Sequence, residues 1–179
     1  FGRFQPPTFG HEHLAKVMFK LATEQKADCY IVVSASEGIE NPLDLRTRIK
    51  FLKKFFPFLT VMGADESLAG IFQVIKHFGE RGYDNVSVVV GSDQTDRLPR
   101  LRQYIDHEDP SKRLKIKTLE VVSAGIRNPD SDGVEGISGT KMRHAVRVDD
   151  YPTFRKGLPR VAKEADAKAL YTALRKRYT

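Results

Sequence analysis

Gly2-Arg3-Phe4-Gln5-Pro6-Pro7-Thr8-Phe9-Gly10-His11 leads into a stripe of Leu14, Val17, Met18 and Leu21, and then into the β-type run from Cys29 to Ser34. The stripe has the spacing of one helix face, which predicts a helix beginning near Gly10 or His11. The run does not alternate, as expected of a strand covered on both faces. A glycine- and proline-bearing loop that opens a helix and is followed by a buried strand is the repeating unit of an α/β protein.

The same alternation continues along the chain. Ile49, Leu52, Phe55 and Phe56 predict a second helix stopped by Pro57, and Leu59 to Met62 a strand. Leu68, Ile71, Val74, Ile75 and Phe78 predict a third helix, followed by the clearest strand, Val86 to Val90. A helix around 95–105, a strand from Leu114 to Val122 and a Gly/Asp/Pro-rich loop over about 123–137 come next. Helices are expected from Ser138 into the 140s and from about Arg160 to the end, where Ala167, Leu170, Tyr171, Leu174 and Tyr178 form a docking stripe. The expected fold is a three-layer, Rossmann-like α/β/α sandwich around a parallel sheet. It is one domain over residues 1–179, with 150–179 a basic helical extension packed on it. In such sheets ligands bind beyond the carboxyl ends of the strands.

At 179 residues and 40% hydrophobic content the chain is long enough for one core and short for two. No run approaches the roughly 18 apolar residues of a membrane span, and no signal-peptide pattern opens the chain. The expected setting is therefore the cytoplasm, or the host cytoplasm if the chain is phage-encoded, with no membrane partner. Cys29 is the single cysteine and reads as a buried thiol. Phe1 stands directly before the first loop with almost no strand ahead of it, so upstream residues are expected. The net charge of +7 lies in residues 141–179, where eleven Lys and Arg face four Asp and Glu. That field suits a polyanion, either a triphosphate or nucleic acid held weakly and non-specifically.

Two segments carry the chemistry. The first loop can cradle phosphate: its glycines admit close approach, the helix that follows presents unpaired N–H groups, Arg3 adds charge, and Thr8 and His11 add hydrogen-bonding groups. His11 and His13 cannot share a metal ion, because i and i+2 point about 200° apart on a helix. In the second segment, Ile137-Ser138-Gly139-Thr140-Lys141-Met142-Arg143, Ser138 is a natural N-cap. Lys141 and Arg143 put charge within its first turns. The order of Gly139-Thr140-Lys141 is not a Walker A sequence, and Gly133, Gly136 and Gly139 do not spell GxGxxG.

Thr8-Phe9-Gly10-His11 is the TxGH form of the (H/T)xGH signature, and the whole opening resembles the GRFQPxxxGH start of archaeal-type nicotinamide-mononucleotide adenylyltransferases. Ser138 to Arg143 looks like the ISSTxxR motif of the nucleotidylyltransferase superfamily, with Gly139 in place of its second serine. Asn41-Pro42-Leu43 with Arg48 is similar to the NP(F/L)…R segment, and Gly91-Ser92-Asp93 to the GxD element, of the same adenylyltransferases. Val121 to Asp130 and Asp132 to Gly136 also look like nucleotidylyltransferases of large tailed phages. Thr8 departs from the histidine of the archaeal-type enzymes and moves the match toward the TxGH branches.

The resemblance implies transfer of an NMP group, AMP above all, from a nucleoside triphosphate to a phosphorylated acceptor such as NMN, with pyrophosphate released. It implies ATP as donor, and Mg²⁺ carried on the substrate with no protein metal site. His11 and Thr8 are expected at the α-phosphate, and Arg3 and Arg143 with Ser138, Gly139, Thr140 and Lys141 on the outer phosphates. Gly2, Phe4 and Gly10 would shape the cradle, and Gly91 and Asp93 the ribose site. Asn41 is expected on the acceptor side, and Arg48 at the acceptor or the triphosphate. Cytidylyl transfer to an alcohol phosphate, and a binding protein that keeps the fold without turnover, are the alternatives.

Overall fold

The computed structural model describes residues 1–125 and 137–178. Most of the loop expected over 123–137, with the phage-like residues Ile126 to Gly136, lies outside the described residues. The chain is mixed α/β. Its elements are α1 (Phe9–Gln25), β1 (Tyr30–Val33), α2 (Leu45–Phe55), β2 (Thr60–Gly63), α3 (Ile71–Glu80) and β3 (Asn85–Val90), then β4 (Thr118–Ser123), α4 (Gly139–Arg147), α5 (Tyr151–Gly157) and α6 (Glu164–Arg175).

β1 and β2 pair in parallel with Tyr30 beside Thr60 and Val33 beside Gly63. β3 and β4 do the same from Asn85 beside Thr118 to Val90 beside Ser123. Gly2 adds a parallel bridge to Val33, donating to Val32 O at 3.0 Å and accepting from Ser34 N at 2.9 Å. Among the described residues the sheet expected from the sequence is thus present as two parallel pairs, with the first loop attached to the edge of β1.

The apolar side chains of β1 serve two cores. Ile31 and Val33 join Phe51, Leu52 and Phe55 of α2, Met142 of α4, Phe154 of α5 and Leu170 and Leu174 of α6. Val32, on the opposite face, packs with Ala64, Leu68 and Val74. A third cluster places Ile75 of α3 against Leu114, Ile116 and Leu119. Burying a Leu or Phe side chain contributes about 1.5–3 kcal/mol, so α6, with Ala167, Leu170, Tyr171 and Leu174 buried, is part of the core and not an appendage.

Several elements differ from the sequence expectation. The segment around 95–105 is a 3₁₀ turn at 92–94 and a longer one at Leu98–Tyr104, with Pro99 in its first turn. Leu114 and Ile116 are buried yet outside β4, which starts at Thr118. α5 was not foreseen; Asp150 caps it by accepting from Thr153 N, with Pro152 in its first turn. Cys29 is half-buried, and burial pushes its thiol pKa up. No helix of the described residues is long and apolar enough to cross a membrane.

Candidate functional site

Thr8 is the N-cap of α1 and is 3% exposed. With His11 at the third helical position it closes a capping box: His11 N donates to Thr8 Oγ1 at 3.4 Å, and Thr8 N donates to His11 Nδ1 at 2.9 Å. A backbone N–H can only donate, so Nδ1 accepts and the proton of the neutral ring sits on Nε2. The ring is further fixed by Phe4, whose centroid lies 4.7 Å away. Phe4 has φ 52°, a left-handed conformation that a bulky side chain rarely adopts and that the surrounding contacts must hold. The Thr8 hydroxyl thus caps the helix end and stands 3.0 Å from His11 Nδ1. A phosphate contact by Thr8 would have to be made from this capping position.

The second motif meets the first. Ser138 caps α4 by accepting from Lys141 N at 3.2 Å. Arg143 donates through Nη1 to Gln5 O at 2.8 Å and through Nη2 to Thr140 Oγ1 at 3.2 Å. A Cβ on Gly139 would stand 3.0 Å from Gln5 O and 3.5 Å from Arg143 Nη1, so the missing second serine is what lets the start of α4 approach the first loop. Thr140 and Lys141 are exposed at this helix start, and Arg3 is exposed on the facing loop.

Arg48 does something other than expected. Its side chain is 0% exposed, and it donates to four backbone carbonyls: Arg3 O at 2.9 Å, Ser34 O at 2.8 Å, Ser36 O at 3.2 Å and Asp44 O at 3.4 Å. Glu37 Oε1 lies 4.0 Å from Nη2. Four of the guanidinium's five N–H groups are thus bonded to backbone and the side chain is fully buried, so Arg48 ties the first loop to the 35–44 loop and cannot reach a ligand as placed. Burial pushes its pKa down, opposed by Glu37 and Asp44. The assignment to acceptor or triphosphate is corrected accordingly: Arg48 positions the loops.

Gln5 was not singled out and makes the matching tie. It is 4% exposed, with Nε2 donating to Leu43 O at 2.8 Å and Oε1 accepting from Leu43 N at 2.9 Å. Asn41 stands just before, closing a turn with Gly38 by paired backbone bonds of 3.1 and 2.9 Å. Glu12, 1% exposed, accepts from Arg160 N at 2.6 Å and lies 2.9 Å from Lys16 Nζ; the Arg160 guanidinium sits 4.8 Å over the Phe9 ring. Only its place in the first turn of α1, where a helix N-terminus favours an acid, signals Glu12 in the sequence.

Gly91 and Asp93 lie past the carboxyl end of β3. A Cβ on Gly91 would fall 2.8 Å from Asp93 Oδ1, so the glycine lets that carboxylate fold back. Asp93 is exposed and accepts from Gln94 Nε2 at 3.0 Å. This strand end is joined to α1 through His13, whose Nε2 meets Ala124 O at 2.5 Å, and Ser92 N donates to Gly125 O at 3.4 Å. His13 thus links α1 to the end of β4. The fold brings the Gly2–His11 and Ser138–Arg143 segments into direct contact through Arg143 and Gln5 and, among the described residues, links the strand end carrying Gly91 and Asp93 to α1.

A cavity of about 500 Å³ opens beside α4, lined by Glu40, Lys141, Arg143, His144, Arg147 and Asp150 among others. It shares Thr140, Lys141 and Arg143 with the expected site and does not include Thr8, His11, Gly91 or Asp93. No group of three His, Cys, Asp or Glu side chains gathers among the described residues. The chain matches no protein-family model, no curated protein and no solved structure.

Proposed function

We propose that this chain is a nucleotidylyltransferase that moves AMP from ATP to a phosphorylated acceptor such as NMN, on a single-domain, three-layer Rossmann-like scaffold in the cytoplasm. One observation carries the reading: two motifs more than a hundred residues apart meet through Arg143 and Gln5 O at 2.8 Å, and the first of them holds its imidazole through a bond from Thr8 N. A plain capped helix needs neither contact. Chance resemblance at two separate segments gives no reason for them to pack against each other.

In this reading an acceptor phosphate oxygen attacks the α-phosphorus in line, the new O–P bond forms, and the bond to the pyrophosphate oxygen breaks. The acceptor oxygen is already ionised at neutral pH, so no general base is required. The work falls to positioning and charge neutralisation. The start of α1 and the Nε2–H of His11 stabilise charge on the α-phosphoryl oxygens. Ser138, Thr140, Lys141 and Arg143 at the start of α4, with Arg3 opposite, hold the outer phosphates. Gly91 and Asp93 receive the ribose, and Asn41 faces the acceptor. Mg²⁺ would neutralise phosphate charge, held by the phosphates and water, as suits an ion that keeps its hydration shell.

The test is pyrophosphate release from ATP, CTP, GTP and UTP with NMN, nicotinate mononucleotide, phosphocholine, glycerol phosphate and phosphopantetheine. ATP with NMN is expected to give the highest turnover. Preference for CTP with an alcohol phosphate would overturn the adenylyl assignment, and no release from any pair would leave a binding protein.

A further inference from the structure

We propose that Glu40 and Arg147, which lie outside both motifs, set the affinity of the α4 cavity for pyrophosphate. Arg147 is a second guanidinium for the anion, and Glu40 is a resident carboxylate that competes with it. The identity of the anion rests on the transfer reading above.

Glu40 reaches both arginines of the cavity, with Oε2 3.5 Å from Arg143 Nη2 and Oε1 3.9 Å from Arg147 Nη2. A carboxylate between two guanidinium groups occupies the place an oxyanion would take. It is also easily displaced. Its side chain is 67% exposed, and ion pairs of that exposure and length are worth little.

The surrounding chain lets Glu40 leave alone. Glu37 holds one side of the loop by accepting from Leu45 N at 2.8 Å, and Gln5 holds the other through Leu43. Between these anchors is the short Gly38–Asn41 turn, where Gly38 has φ 148° and Ile39 is 83% exposed. Rotation of that tip withdraws the carboxylate while Arg48 and Gln5 keep their bonds.

Arg147 is prepared for the role. Its guanidinium lies 4.6 Å over the Tyr178 ring, which fixes its plane and leaves its edge for hydrogen bonding. Lys141, Arg143 and His144 line the same cavity, against Glu40 and Asp150 as its acids. Removal of Glu40 would leave the cavity strongly cationic.

The experiment is calorimetric titration of the full chain with magnesium pyrophosphate, using wild type, Glu40→Gln, Arg147→Gln and Arg147→Lys, each checked for folding by circular dichroism. Glu40→Gln should tighten binding about threefold to fivefold, the scale of a weak ion pair. Arg147→Gln should weaken it about fivefold to tenfold, with Arg147→Lys recovering part. An unchanged or weaker Kd in Glu40→Gln, or an Arg147→Gln value within twofold of wild type, overturns the proposal. The pattern read in a chain that turns over no triphosphate would refute the transfer reading and keep this one. Normal turnover with Kd indifferent to both residues would do the reverse.

Discussion

Replacing Arg48 with Met removes the donors that hold Arg3 O, Ser34 O, Ser36 O and Asp44 O, and leaves those carbonyls without them in a region where the side chain is 0% exposed. The bonds to Arg3 O and Ser34 O, at 2.9 and 2.8 Å, are short and well placed, and a bond to a charged donor contributes about 1.5–3 kcal/mol. The bonds at 3.2 and 3.4 Å add less. Met recovers part by filling the space of the aliphatic stem. The net loss should be about 3–5 kcal/mol, the scale of breaking a buried charged network. That is a large fraction of the roughly 5–15 kcal/mol that holds a domain together. Arg48→Lys should lose nearly as much, because three donors on a point charge cannot serve carbonyls arranged around a planar fork. Urea denaturation followed by circular dichroism reads both, as a lower midpoint at unchanged slope. A folded Arg48→Met protein within about 1 kcal/mol of wild type, with a raised KM for acceptor or triphosphate, would refute the positioning role and restore the ligand contact.

Gly139→Ser restores the hydroxyl of the superfamily motif, but its Cβ must fit 3.0 Å from Gln5 O. The triphosphate KM should rise severalfold with thermal stability nearly kept, and a lower KM would show that the close approach is not needed. Asp44 caps α2, and the N–H of Thr47 is the main cause holding its carboxyl below the ordinary 3.8. A depressed folded pKa contributes stability that is complete above the unfolded value and fades as pH falls through the folded one. The stability gap between wild type and Asp44→Ala, about 1 kcal/mol at pH 7, should therefore shrink below about pH 4. A gap that widened on acidification in urea titrations would contradict this.

The elements that could be read from the sequence were those whose burial leaves a helical stripe or a continuous apolar run. Leu170, Tyr171 and Leu174 of α6 and the run of β1 are apolar because they are packed, and Pro57 marks the end of α2 by lacking a donor. α5 escaped because Tyr151–Gly157 spans barely two turns, too short for a stripe to repeat. Leu114 and Ile116 are as apolar as strand residues but pair through a single bridge from Leu114 to Ile105. In the site, the residues that bond locally were legible: Ser138 as a cap, and Thr8 with His11 at a helix mouth. Arg48 was read as ligand-facing, and Gln5 and Glu12 carry no sequence signal of their buried roles, for one reason. Polar types read as exposed or ligand-facing, and only the fold reveals that Leu43, Arg160 and four carbonyls supply their partners.

The proposed role of His11 at the reacting phosphorus is tested by steady-state pyrophosphate release from ATP and NMN by His11→Ala. Loss of an imidazole that helps close the α1 cap should lower stability by about 1 kcal/mol, leaving a folded protein for the assay. The kcat should fall by roughly 10²–10³, the scale of one lost oxyanion donor, with a much smaller change in triphosphate KM, because charge on the α-phosphoryl oxygens develops in the transition state. A folded His11→Ala protein with kcat within threefold of wild type, under conditions where chemistry limits turnover, would contradict it.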